Sequence, residues 1–201
     1  MRTLRHGVLA TAAILLLGSV GWTQETPRGL VEVQEGGRHG FWGALGLGAG
    51  GEAFDLRDGT GYSGELYRPT VSLRLGGTPA PWIRLGGEVQ TWIDDQGRQT
   101  ESLTSVLFIS QLYPAPATGL YLKGGVGFAR SAVDFDDGFA GLDETGFAGL
   151  LGAGWEVRVG RRLYLNPAVD LIEQRYTGRG GERFRERIVN FGLGVLFQSG
   201  R

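Results

Sequence analysis

Residues 189–198 set Val189, Phe191, Leu193, Val195 and Phe197 against Asn190, Gly192, Gly194 and Gln198. Successive side chains of a β-strand point to opposite faces, so this is a strand with one strongly apolar face. The composition of the other face is what constrains the fold. A soluble sheet buries its apolar face and covers the other with long, hydrated side chains. Here the second face is glycine with scattered polar groups. Glycine weakens a strand, but it fits the interior of a narrow barrel, which eight strands leave just wide enough for side chains to fill. The pattern therefore reads apolar outside and polar inside.

The same division recurs along the chain. Phe147, Leu151, Ala153, Trp155 and Val157 oppose Gly152, Gly154, Glu156 and Arg158. Leu163, Leu165, Val169 and Leu171 oppose Tyr164, Asn166 and Asp170. Ile83, Leu85, Val89 and Ile93 oppose Arg84, Glu88 and Gln90, and Val71, Leu73 and Leu75 oppose Arg68, Ser72 and Arg74. Leu120, Leu122, Val126 and Phe128 oppose Lys123, the chain's only lysine, and several glycines. Charge facing lipid at the bilayer midplane costs about 2–4 kcal/mol, so the charged parity belongs inside. The inward set comprises Arg68, Arg74, Arg84, Glu88, Glu156 and Asp170, expected to form a mixed-charge network with the arginines pairing the carboxylates.

Eight strands are expected, roughly 40–50, 64–76, 81–93, 101–113, 118–130, 145–158, 162–174 and 185–198. Short connections fall at 77–80, 114–117 and 160–162, and mostly longer polar ones at 51–63, 94–100, 131–144 and 175–184. Short turns at one end and longer loops at the other suit an all-β, antiparallel, up-and-down transmembrane barrel with periplasmic turns. The strand at 101–113 is ambiguous. Leu103, Leu107 and Ile109 share one parity and Val106, Phe108 and Leu112 the other, as a bulge or a different register would give. Tyr67 and Phe147 near the loop ends, and Phe41, Tyr113, Trp155 and Phe197 near the turn ends, are expected to form two aromatic belts on the lipid face.

The N-terminus reads as an export signal. Arg2 and Arg5 supply charge, residues 8–17 an apolar run, and Ser19 and Gly21 the small residues of a cleavage site. That run falls short of the roughly 20 residues that a spanning helix needs, whereas a barrel strand needs about 9–11. The expected organisation is a signal peptide at 1–21, a periplasmic lead-in at 22–39 and a barrel at 40–198. A net charge of −1 gives no reason to expect nucleic acid, and the absence of cysteine excludes disulfides and thiolate metal sites.

On these features the chain resembles the small OmpA/OmpX-type outer-membrane barrels over residues 38–198. The resemblance implies residence in the bacterial outer membrane. It also implies recognition by the barrel-assembly machinery of a final strand ending in an aromatic, matched by Val189, Phe191, Leu193, Val195 and Phe197, with four residues following.

Motifs that could carry chemistry have plainer readings. Gly46–Gly51 contains G-x-G-x-x-G, but no helix follows it to hold a pyrophosphate. Asp134, Asp136, Asp137 and Gly138 resemble a calcium loop, yet Phe139 and Thr145 stand at the sixth and twelfth positions, where glycine and glutamate are required. Once a signal is removed, His39 is the only histidine, and no serine stands beside it. No catalytic residue, cofactor or metal is therefore expected. The first expectation is a non-enzymatic outer-membrane protein with a structural or surface-interaction role. The alternatives are a minor small-solute pore and a lipid-modifying enzyme. Outward parity places Arg175, Arg185 and Arg187 together near the loop end, a candidate lipopolysaccharide-binding patch because guanidinium groups pair with phosphate. Pairing with Glu173, Glu182 and Glu186 is the alternative use of these arginines.

Overall fold

The computed structural model describes residues 38–55, 61, 62, 64, 66–135, 142–177 and 183–199. The expected signal peptide and all but Arg38 and His39 of the lead-in lie outside these residues.

Nine strand segments follow one another: β1 (Gly40–Asp55), β2 (Leu66–Ala80), β3 (Ile83–Asp95), β4 (Gln99–Leu112), β5 (Leu120–Phe135), β6 (Leu142–Trp155), β7 (Val157–Arg158), β8 (Leu163–Thr177) and β9 (Arg183–Gln198). A 3₁₀ turn, Pro116–Thr118, lies between β4 and β5. Every pairing is antiparallel, and β1 pairs with β9 to close the ring. Both β6 and β7 pair with β8, so they form one stave, interrupted at Glu156, whose N–H donates to Gly119 O at 3.0 Å. The barrel therefore has eight staves.

The alternation that organises the sequence also sorts the walls. Leu47, Val126, Phe128, Phe147 and Leu151 are each 67–70% exposed on the outer face. A continuous exposed band of Leu, Val and Phe has no place on a soluble monomer and suits lipid.

The strands run further at the loop end than periodicity suggested. β1 has 16 residues. At about 3.3 Å per residue and a tilt of about 40° it rises about 40 Å, well past an apolar band of about 25 Å. β1 accordingly runs into the expected loop at 51–63 as far as Asp55, because Gly51 to Asp55 continue the pairing with β9. The expected loop at 94–100 shrinks to Gln96–Arg98. Gly97 takes a φ of 77° there, the left-handed conformation that a three-residue hairpin requires. The expected turn at 77–80 sits instead at Pro81–Trp82, after a register shift between Gly77 and Ala80.

β4 contains no bulge, since its pairing with β3 and β5 is unbroken. Its two apolar faces have different tasks. Val106, Phe108 and Leu112 face lipid, whereas Leu103, Leu107 and Ile109 point inward, into a cluster with Trp92, Leu150, Ile172 and Ile188. The apolar cluster thus draws on β3, β4, β6, β8 and β9, and β3, β4, β8 and β9 carry inward charges at other heights.

Candidate functional site

The lumen is built in layers. At the turn end, Arg84 from β3 donates to Glu156, to Tyr113 Oη (2.9 Å) and to Gln198. Tyr113 donates to Glu156 Oε1 at 2.7 Å. Arg38, just before β1, reaches back beneath this layer. Its Nε donates to Glu156 Oε2 (3.1 Å), its Nη1 to Pro116 O (2.6 Å), and its guanidinium lies 3.9 Å from the Tyr113 ring centroid. Trp42 and Tyr121 complete the layer, both without exposed surface. Tyr113 corrects an expectation: it belongs to the interior and not to the aromatic belt. It follows the last residue of β4 and keeps that strand's inward parity, so its hydroxyl finds two charged partners. Trp82, 55% exposed on the neighbouring turn, stands in the belt with Phe41, Trp155 and Phe197.

The middle layer centres on Lys123. Its ammonium donates to Glu88 Oε1 (3.1 Å), Glu88 Oε2 (2.9 Å) and Asp170 Oδ2 (3.0 Å). Those are all three of its donors. Arg74 approaches Tyr121 Oη at 3.5 Å. Arg74, Glu88, Asp170, Asn166 and Asn190 line a small polar cavity of about 10 Å³, walled on one side by Gly46, Gly192 and Gly194. At the loop end, Arg68 ion-pairs with Asp94, and Glu52, Glu101 and Glu186 face inward, Glu186 as the register partner of Gln174.

All six residues of the expected network thus point inward, but their partners differ. Glu88 and Asp170 are held by Lys123 and not by Arg68, Arg74 or Arg84, and Asp94 takes Arg68. Arg158, read on the inward parity, is the register partner of Tyr164 and is exposed, because it stands at the turn-end rim of its stave. Sequence reasoning missed Arg38 and Asp94. Asp94 was legible, lying two residues beyond Trp92 on the parity of Arg84, Glu88 and Gln90. Arg38 precedes the first alternating residue and carried no signal.

Arg175, Arg185 and Arg187 lie on the outer wall at the loop end, where Arg175 and Arg185 are register partners and Arg187 faces Glu173. Glu173 binds Arg175 Nη2 (2.6 Å) and Arg187 Nη2 (3.5 Å), and Asp55 binds Arg185 (2.7 Å). Tyr62 packs against Arg185 and Arg187, whose guanidinium carbons lie 5.0 and 4.1 Å from its ring centroid. Glu186, a suggested partner, points into the lumen instead, and Glu182 lies outside the described residues. Gly46–Gly51 is strand, forming wall and cavity. His39 is exposed, and its carbonyl accepts from Gln198 Nε2 at 2.7 Å. Asp134 is exposed at the end of β5, and Asp136, Asp137 and Gly138 lie outside the described residues.

No protein-family model and no curated protein matches the sequence. Solved structures do. Neisserial surface protein A matches with a TM-score of 0.57 at 12% identity, over 81% of this chain and 99% of that one. OprG from Pseudomonas aeruginosa (TM-score 0.44, 16% identity, 84% and 100% covered) and the attachment invasion locus protein Ail of Yersinia pestis (0.48, 11%, 79% and 99%) also match. At such identity the likeness speaks for the fold. With the lipid-facing apolar band it gives this chain the fold of a bacterial outer-membrane β-barrel of eight strands, similar to the small OmpA/OmpX-type barrels.

Proposed function

We propose that this protein is a non-enzymatic outer-membrane barrel, non-conducting, that acts through the surface it presents at its loop end. One observation carries the reading. Arg84, Glu156, Glu88, Lys123 and Asp170 are each at most 4% exposed, so two successive layers of paired charge fill the lumen. A conducting path would have to break such pairs, and an uncompensated buried charge costs several kcal/mol. Planar-bilayer recording of the refolded barrel tests this. No unitary conductance is expected, and steady ion-conducting steps would overturn the reading in favour of a small-solute pore.

The partner proposed for that surface is lipopolysaccharide, held through phosphate by Arg175, Arg185 and Arg187. Support comes from their grouping on the outer wall, beside the apolar band, with Tyr62 packed on two of them. Among the described residues, Glu173 and Asp55 organise these guanidinium groups and leave three cations to two carboxylates. Replacing all three arginines with Gln is expected to lower affinity for purified lipopolysaccharide about tenfold or more at low salt. Unchanged affinity would refute the patch and leave the non-conducting barrel standing.

A further inference from the structure

The opposite rim carries a second group of arginines that the outward patch does not explain. β7 and β8 are joined by residues 159–162, and this turn is tightly fixed. The N–H groups of Val159 and Gly160 both donate to Leu163 O (3.1 and 3.1 Å), and Gln198 N–H donates to Arg162 O at 2.9 Å. The turn is thereby tied both to itself and to the last residue of β9. It presents Arg161 and Arg162, both exposed, with Arg158 beside them donating to Gly160 O at 3.2 Å.

Two features separate this rim from the other. First, its charge is uncompensated. Among the described residues, the one carboxylate at the turn end is Glu156, which is buried and held by Arg38 and Arg84. Arg158, Arg161 and Arg162 form no ion pair there. Second, the charge adjoins apolar wall directly. Arg161 and Arg162 share an open groove with Leu163 and Phe197, side chains that face the lipid. Trp155 and Phe197 mark the level of the membrane interface on this side. Long arginine side chains extend from such a level to the headgroups.

We propose that this groove binds the headgroup of an anionic phospholipid in the periplasmic leaflet. Arg161 and Arg162 bind the phosphate through paired, charge-assisted hydrogen bonds, and Leu163 and Phe197 lie along the start of an acyl chain. The periplasmic assignment follows from strand number. Eight staves put both ends of the barrel on this side, where outer-membrane barrels have their turns. A zwitterionic headgroup supplies the same phosphate but brings its own cation towards two guanidinium groups, so the site selects for net negative charge. Water-soluble phosphate lacks the acyl contact and binds poorly.

The exposed indoles report on this end of the barrel. Trp82 and Trp155 are 55% and 45% exposed at the turn rim, while Trp42 and Trp92 are buried. The experiment uses the refolded barrel bearing Trp22→Phe, in vesicles of phosphatidylcholine mixed with phosphatidylglycerol, with one or the other lipid brominated. Quenching is expected to favour brominated phosphatidylglycerol, about fivefold per arginine at low salt in relative binding constant. The double variant Arg161→Gln/Arg162→Gln should abolish the preference while keeping heat-modifiable gel mobility, which shows that the barrel is intact. Arg175→Gln at the other rim should leave it in place. Equal quenching by the two lipids in the parent barrel, or a preference that survives the double substitution, overturns the proposal. Displacement of the lipid by millimolar inorganic phosphate overturns it too, in favour of a site for free phosphate.

Discussion

Replacing Lys123 with Met probes the middle layer most directly. The ammonium lies 2.9 Å from Glu88 and 3.0 Å from Asp170. At an effective dielectric of about 20, each contact is worth about 5 kcal/mol of gross Coulomb energy. Desolvating the three ions offsets most of this, at several kcal/mol per ion. What remains after the substitution is two carboxylates in one closed compartment, with Arg74 the nearest other cation of the layer. The single variant is therefore expected to lose about 3–5 kcal/mol of unfolding free energy. The double variant Lys123→Met/Glu88→Gln removes one charge of each sign and should lie within about 1–2 kcal/mol of the parent, because Asp170 and Arg74 then balance one another in the same compartment. The assay is denaturant unfolding of the barrel in lipid vesicles, followed by tryptophan fluorescence and by gel mobility. A single variant no less stable than the double would refute pairing as the reason these charges are tolerated.

Further expectations concern the two walls and the lower rim. Val126→Arg, on a lipid-facing position 69% exposed, should destabilise by about 2–4 kcal/mol in vesicles; a cost near zero would mean that this face meets water. Gly76→Ala should cost about 1–3 kcal/mol, since an added Cβ would lie 2.1 Å from Leu85 O, whereas Gly124→Ala on the open outer face should be neutral or slightly stabilising; equal effects in unfolding curves would contradict the interior crowding. Arg38→Ala should cost about 1–3 kcal/mol by loss of its bonds to Glu156 and Pro116, while Arg84 keeps Glu156 paired; a loss as large as that from Lys123→Met would show that Arg84 does not suffice.

Lys123 also shows where sequence reasoning stopped. Parity placed it inside, and parity placed Glu88 and Asp170 there too. Partnership depends on height along the barrel, which is set by strand register, and register is invisible to alternation. Two-residue periodicity assigns each residue to a wall and says nothing about its neighbours around the ring. Hence the fold, the lipid face and the inward charges were legible, and the pairings were not. The same limit governs β4, whose apolar residues on both faces looked like a defect. The ring gives the second face a use, because Leu103, Leu107 and Ile109 meet Leu150, Ile172 and Ile188 across the lumen.

Strand ends were the other weak point, for a different reason. Alternation stops being selected for by lipid where the wall leaves the apolar band, yet backbone pairing continues wherever a partner strand is present. Glu52, Glu101 and Glu186 lie in that region, on strands that pairing alone extends. Tyr113 lies inside and Trp82 stands in the belt for a related cause. A turn one residue longer or shorter reverses which aromatic faces lipid, and the chain set its turn at Pro81–Trp82, where Tyr113 N–H donates to Trp82 O at 2.8 Å. That bond joins the end of β4 to the β2–β3 turn and keeps Tyr113 on the inward parity. Its hydroxyl is then available to Arg84 and Glu156, and the turn end of the lumen closes around a side chain that the sequence alone had assigned to the membrane.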